Sequence, residues 1–152
     1  MKRTIIRFIL LITIMVFIIA ILFLPLPSFK KTNMQKYFIA HAGGEIDGFS
    51  YTNSVEAVMN SINNGFRYIE LDISLTADSQ LVCMHSASEF LEMTNLPDSI
   101  MLTADAFNRQ MILEKYTPLS LSKLVDLQKR FNFVLVLDKT SNPQLLENYL
   151  AD

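Results

Sequence analysis

The residues of this chain best suited to chemistry are acids and imidazoles set at the ends of apolar runs. In "GFRYIELDISLTADSQLVCMH", residues 65 to 85, Glu70 and Asp72 stand two apart within an apolar pattern, and the next apolar run closes on His85. Alternation with period two sends Ile69, Leu71 and Ile73 to one face of a strand and both carboxylates to the other. Two carboxylates on one face repel and lose hydration unless something positive sits beside them. A metal ion is the commonest solution, and a solvated sheet face is the bland alternative. Asp138, at the end of "FNFVLVLD", offers a third carboxylate, or simply caps the turn after its strand. An all-oxygen donor set suits a hard divalent cation, Ca²⁺ or Mg²⁺, rather than zinc. His41 and His85 are the two histidines of the chain. Imidazole titrates near pH ~6.5, so a pair flanking a metal can divide the roles of general base and general acid, in either assignment. With a cation to neutralise developing charge, the natural substrate is a phosphodiester.

These groups need elements to hold them. "YFIAH" reads as a buried strand ending on His41, and "AGGEIDGFSY" as a glycine-rich loop. Gly43 and Gly44 in that loop serve a turn, or line up backbone N–H groups near a phosphate. Asn53 with Glu56 makes a capping pair for a helix whose Val55, Val58 and Ile62 share one face and which stops at Gly65. A strand over 67–73, a turn at "TADS" and a strand over 80–85 follow. Residues 86 to 116 lack a pattern apart from a short helix from Thr103. Leu121, Leu124, Val125 and Gln128 keep helical spacing before a strand that ends on Asp138, and another helix begins at Pro143. That order predicts an α/β fold with mainly parallel strands buried on both faces. His41, Asp72, His85 and Asp138 then fall at the carboxyl ends of consecutive strands, where parallel α/β barrels place their chemistry.

The start of the chain has another character. From Phe8 to Leu24 only Thr13 interrupts an apolar run, with Lys2, Arg3 and Arg7 before it and prolines after it. The expectation is a cytoplasmic stub at 1–4, a transmembrane anchor or uncleaved signal at 5–24, and a linker at 25–36. A bilayer crossing takes roughly 20 apolar residues, and no small-x-small cleavage site follows this run. The chain would then be a single-pass protein of the cell membrane, with that helix as its membrane contact and its catalytic part outside the cytoplasm. Cys83, the single cysteine, rules out an intrachain disulfide and reads as a small apolar filler. A net charge of -2 gives no basic field for nucleic acid.

In the same order, "IAHAGG", "YTNSVEA", "GFRYIELDI", "TADSQLVCMH" and "TPLSLSKLV" resemble the amino-terminal half of the glycerophosphodiester phosphodiesterase family. These are (β/α)8 barrels related to the phosphatidylinositol-specific phospholipases C. The resemblance runs from about Phe38 to Asp138. It implies a partial (β/α)8 TIM-type barrel preceded by one transmembrane helix. It also implies His41 and His85 as the catalytic pair, and Glu70 and Asp72 as metal ligands, with Asp138 in the place of a third ligand that is usually glutamate. There are departures: Ala42 stands where arginine usually follows the first histidine, only Asn53 remains of a proline-glutamate-asparagine run, Ser86 replaces an aspartate after His85, and Lys139 is displaced by one residue from the family's lysine.

A barrel of this kind takes about 250 residues. Residues 37–152 are therefore read as an amino-terminal half-barrel, truncated, self-associating or completed by a missing carboxyl-terminal half. The competing expectations are a catalytically inactive anchored module that binds a partner or a surface polymer, and a non-functional truncated fragment.

Overall fold

A computed structural model describes Thr13, Met15 and residues 34–138. The chain divides into two compact units, Met1–Thr32 and Asn33–Asp152, and the second contains everything that follows. Its described elements are β1 (Ile39–Ala40), α1 (Val55–Asn63), β2 (Tyr68–Leu75), β3 (Leu81–Cys83), α2 (Ala87–Met93), α3 (Ala104–Arg109), β4 (Leu119–Ser120), α4 (Leu121–Phe131) and β5 (Val134–Asp138), with 3-10 turns at Met34–Tyr37 and His41–Gly43.

The eight residues of β2 form the axis of the sheet. Their first half pairs in parallel with β1 and β5, and their last three residues pair antiparallel with β3, which in turn carries β4. Strand alternation gives β2 two different faces. Ile69, Leu71 and Ile73 are fully buried against Val58 of α1, Leu121 and Leu124 of α4, Leu119 and Phe133. A second core gathers Val82 and Met84 with Phe90, Leu102, Phe107, Ile112 and Tyr116, and so seats α2 and α3 on the β2–β3 hairpin. Burial pushes the Cys83 thiol far up, so it stays protonated within the first core.

The parallel-barrel expectation needs correction at several points. The run ending in His85 is not a further parallel strand: it returns antiparallel from the turn at 76–79, because Thr76 and Gln80 close that turn on each other. "YFIAH" is not a buried strand either, since Tyr37, Phe38 and Ile39 are exposed and only Ile39 and Ala40 pair. β5 is partly exposed along its length for the same reason: among the described residues it pairs with β2 alone. In the stretch read as irregular, α2 is only seven residues long, too short to show a helical period, and is started by the Ser86 hydroxyl. The helix from Thr103 is present as α3.

The transmembrane helix is also corrected. Among the described residues no helix is long and apolar enough to cross a membrane; α4, with 11 residues, falls well short of the roughly 20 a crossing takes. The run at 5–24 lies outside the described residues apart from Thr13 and Met15, as do the stub at 1–4, most of the 25–36 linker, Lys139 and the helix expected from Pro143. Single-pass placement, membrane contact through that helix and an extracytoplasmic site for the remainder therefore lose their support. The sheet is an unclosed α/β sheet, consistent with part of a barrel.

Gly44 shows how tightly the loop after β1 packs on α1. Its φ is 99°, and a Cβ there would lie 2.0 Å from the Ser61 hydroxyl, which donates to the Gly43 carbonyl. Replacing it with alanine combines backbone strain with a clash. G44A should lower unfolding free energy by about 2 kcal/mol, read as a lower urea midpoint with an unchanged m-value.

Candidate metal and acid–base site

The face of β2 opposite its apolar side carries Glu70 and Asp72, both buried. In the parallel register of β2 and β5, Asp72 lies directly beside Asp138. Glu70, Asp72 and Asp138 thus each present an oxygen within 4.8 Å of the others, Asp138 being at the exposed rim. Glu70 feels this arrangement. Burial raises its carboxyl above the usual range, and the charges of Asp72 and Asp138 push the same way, against the Ala42 amide and His41. Its Oε1 is buried with no hydrogen-bond partner among the described residues. An unpartnered buried carboxylate oxygen facing two further carboxylates is what a site for a hard cation requires, and the donor set fits a divalent ion.

The glycine-rich loop supplies the counterweights. Ala42 is left-handed (φ 50°) and buried, and its N–H donates to Glu70 Oε2 at 2.6 Å. His41 Nε2 is 3.7 Å from the same oxygen, and the imidazole is 60% exposed. The Gly44 N–H closes the turn on the His41 carbonyl at 2.8 Å, while Gly43 packs against Ala57 and Val58. At the far end of the loop, left-handed Asn53 (φ 48°) donates from Nδ2 to Asp72 Oδ2 and accepts the Asp72 N–H at Oδ1, both at 3.1 Å. Asn53 is therefore not the helix cap; Ser54 is, accepting the Ala57 N–H. Glu56, expected to complete that cap, accepts instead from the Thr117 N–H and hydroxyl at 2.7 Å each. The middle of the loop is tied by Asp47, which accepts from Lys115 and the Tyr116 hydroxyl and is held by them below the usual carboxylate range.

His85 reaches this region through the hairpin. The Met84 N–H donates to the Asp72 carbonyl, so the residue after Met84 comes back alongside the acidic half of β2. His85 shares a cleft of about 390 Å³ with Tyr51, Glu89, Glu92 and Met93, and Tyr51 meets the His41 ring edge to face at 5.1 Å. Sequence reasoning missed Asn53 as a partner of Asp72 and gave Tyr51 and Glu89 no role. A buried asparagine between two buried hydroxyl residues, Thr52 and Ser54, looks in sequence like an ordinary helix start.

An α/β fold with an unclosed sheet and an acidic cluster on one strand face is phosphodiesterase-like. Residues 42–109, less than half of the chain, match the glycerophosphoryl diester phosphodiesterase family. No curated protein matches. Among solved structures, similarity extends to a glycerophosphoryl diester phosphodiesterase from Parabacteroides distasonis (25% identity, TM-score 0.53, covering 74% of this chain and 41% of that one). It extends also to a glycerophosphodiester phosphodiesterase from Agrobacterium tumefaciens (23%, 0.56, 74% and 51%). A third is an Oleispira antarctica phosphodiesterase in complex with the product sn-glycerol-3-phosphate (18%, 0.56, 74% and 48%). The chain spans about half the length of these structures.

Two substitutions test the acidic cluster. Because burial and like charge raise the Glu70 titration, its protonated form favours folding, and that contribution is lost as pH rises through the raised value. E70Q should therefore melt a few degrees above the unmodified chain near pH 7 without metal, while losing the upward shift that divalent metal gives the parent. N53A leaves Asp72 short of two partners and should cost about 2 kcal/mol of stability, with metal affinity down roughly 10- to 100-fold by calorimetric titration.

Proposed function

We propose that this chain carries the metal-binding and proton-transfer half of a phosphodiester hydrolase of the glycerophosphodiester phosphodiesterase type, acting on a glycerophosphodiester or a related diester. The observation that carries this reading is the convergence of Glu70, Asp72 and Asp138 within 4.8 Å, with His41 3.7 Å from Glu70. Those three carboxylates would hold Ca²⁺ or Mg²⁺. Oxygens on opposite sides of Ca²⁺ stand up to about 5 Å apart and across Mg²⁺ about 4 Å, so the spacing admits calcium as it stands and magnesium after a slight closing of the side chains. Bound there, a divalent ion supplies Lewis-acid stabilisation of charge on a phosphoryl oxygen.

The protein's own groups do the rest. His41, exposed above the cluster and braced edge-on by Tyr51, and His85, on the wall of the adjoining cleft, would exchange protons with the attacking water and the leaving alkoxide. Gly43 and Gly44 set the turn that aims His41 and the Ala42 amide. A second reading, a metal-binding module without turnover, is favoured by Ala42: a small buried residue stands beside His41, and its amide is engaged by Glu70.

Release of glycerol phosphate from a glycerophosphodiester, with Ca²⁺ or Mg²⁺ and then with chelator, separates the two. The hydrolase reading expects metal-dependent turnover that falls at least about 100-fold in H41A and in H85A. Metal binding by thermal shift with no turnover under either ion would leave only the module.

A further inference from the structure

Glu89 stands outside the acidic cluster, and the proposed chemistry gives it no part. With Ser86 it forms an S-x-x-E pattern, whose ordinary meaning is a capping box at the start of a helix. Half of that box is present: the Ser86 hydroxyl accepts the Glu89 N–H at 3.2 Å. The Glu89 carboxylate, however, reaches past the cap to His85, with Oε2 at 2.9 Å from Nδ1. An i,i+4 pair on a surface is usually worth little. Here the two ends of the imidazole differ. Nδ1 is closed to solvent and meets the Glu89 carboxylate as a close ion-pair contact rather than an aligned hydrogen bond, while the side chain as a whole is 34% exposed. Tyr51, which braces His41, lines the same cleft. The ring thus meets the carboxylate through one nitrogen and lines the cleft that Tyr51 shares.

We infer that Glu89 is the positioning residue of His85: from its 2.9 Å contact a small turn of the carboxylate lets it take the Nδ1–H, which fixes that tautomer and leaves Nε2 as the atom that carries the proton. A carboxylate behind an imidazole sets tautomer and orientation without itself gaining a proton. The inference rests on the hydrolase reading for its catalytic consequence, but not for its geometry. Because α2 begins two residues after His85, the same short helix that closes the second core also delivers the carboxylate, one turn along from the ring it faces.

Nitrogen-15 NMR of the full chain with labelled histidine reads the tautomer directly, and H41A assigns the two rings. Neutral His85 should be protonated at Nδ1, against the Nε2–H form that free histidine prefers. E89A should return it to the Nε2–H form, and E89Q, whose amide oxygen can still accept, should keep the Nδ1–H form. Turnover of bis(4-nitrophenyl) phosphate with Ca²⁺ or Mg²⁺ should fall about 10- to 100-fold in kcat in E89A with KM little changed, and less in E89Q. An Nε2–H tautomer in the parent chain, or an Nδ1–H tautomer that survives E89A, would overturn the inference. Absence of turnover in the parent chain would instead count against the hydrolase reading, leaving the tautomer result to judge Glu89.

Discussion

Like charge gathered on one strand face is the constraint around which this unit is arranged. Glu70 and Asp72 share a face because strands alternate, and Asp138 joins them because β5 pairs with β2 in a register that sets Asp138 beside Asp72. Relief among the described residues comes from the loop between β1 and α1, whose Ala42 amide, His41 ring and Asn53 side chain all converge on the acids. Both Ala42 and Asn53 hold positive φ to do so, a strain of order 1 kcal/mol or more at each. Such strain persists only where neighbouring contacts over-determine it. Here Ser61 on Gly43, Asp47 on Lys115 and Tyr116, and Glu56 on Thr117 do that.

The hairpin solves a different problem. A purely parallel arrangement would have needed a separate strand to bring a second imidazole near the acids. Instead β2 runs on past its acidic stretch, turns at 76–79 and returns as β3, so that the chain after Met84 lies alongside Asp72. The hairpin is held from outside by the second core. Asp78 at its tip accepts from both the Thr76 hydroxyl and the Ala104 N–H, which hold its carboxyl below the usual range. α2 and α3 therefore help to hold the hairpin that leads to His85.

Much of this was legible in the sequence, for physical reasons that can be named. The acid pair on β2 was readable because period-two alternation is local, and α1 and α4 because their apolar spacing survives without knowledge of neighbours. The direction of the run before His85 was not readable, since an apolar strand looks the same whether it pairs parallel or antiparallel. The exposure of β1 and β5 depended on which strands lie beside them. Asn53 was read as a cap because asparagine before a helix usually is one; its actual partner lies 19 residues away in sequence. A long apolar run suggested a membrane helix, which no described element bears out.

Residue type and spacing alone determined that this chain carries paired carboxylates on one strand face, two imidazoles at the ends of apolar runs and the helices that cover the sheet, because those signals depend only on near neighbours along the backbone. Tertiary structure alone decided that Asp138 stands beside Asp72, that Asn53 and the Ala42 amide hold the acids, and that a returning hairpin brings His85 to the same region. Each of those is a contact between distant segments, set by strand register and loop closure, and no local pattern encodes either.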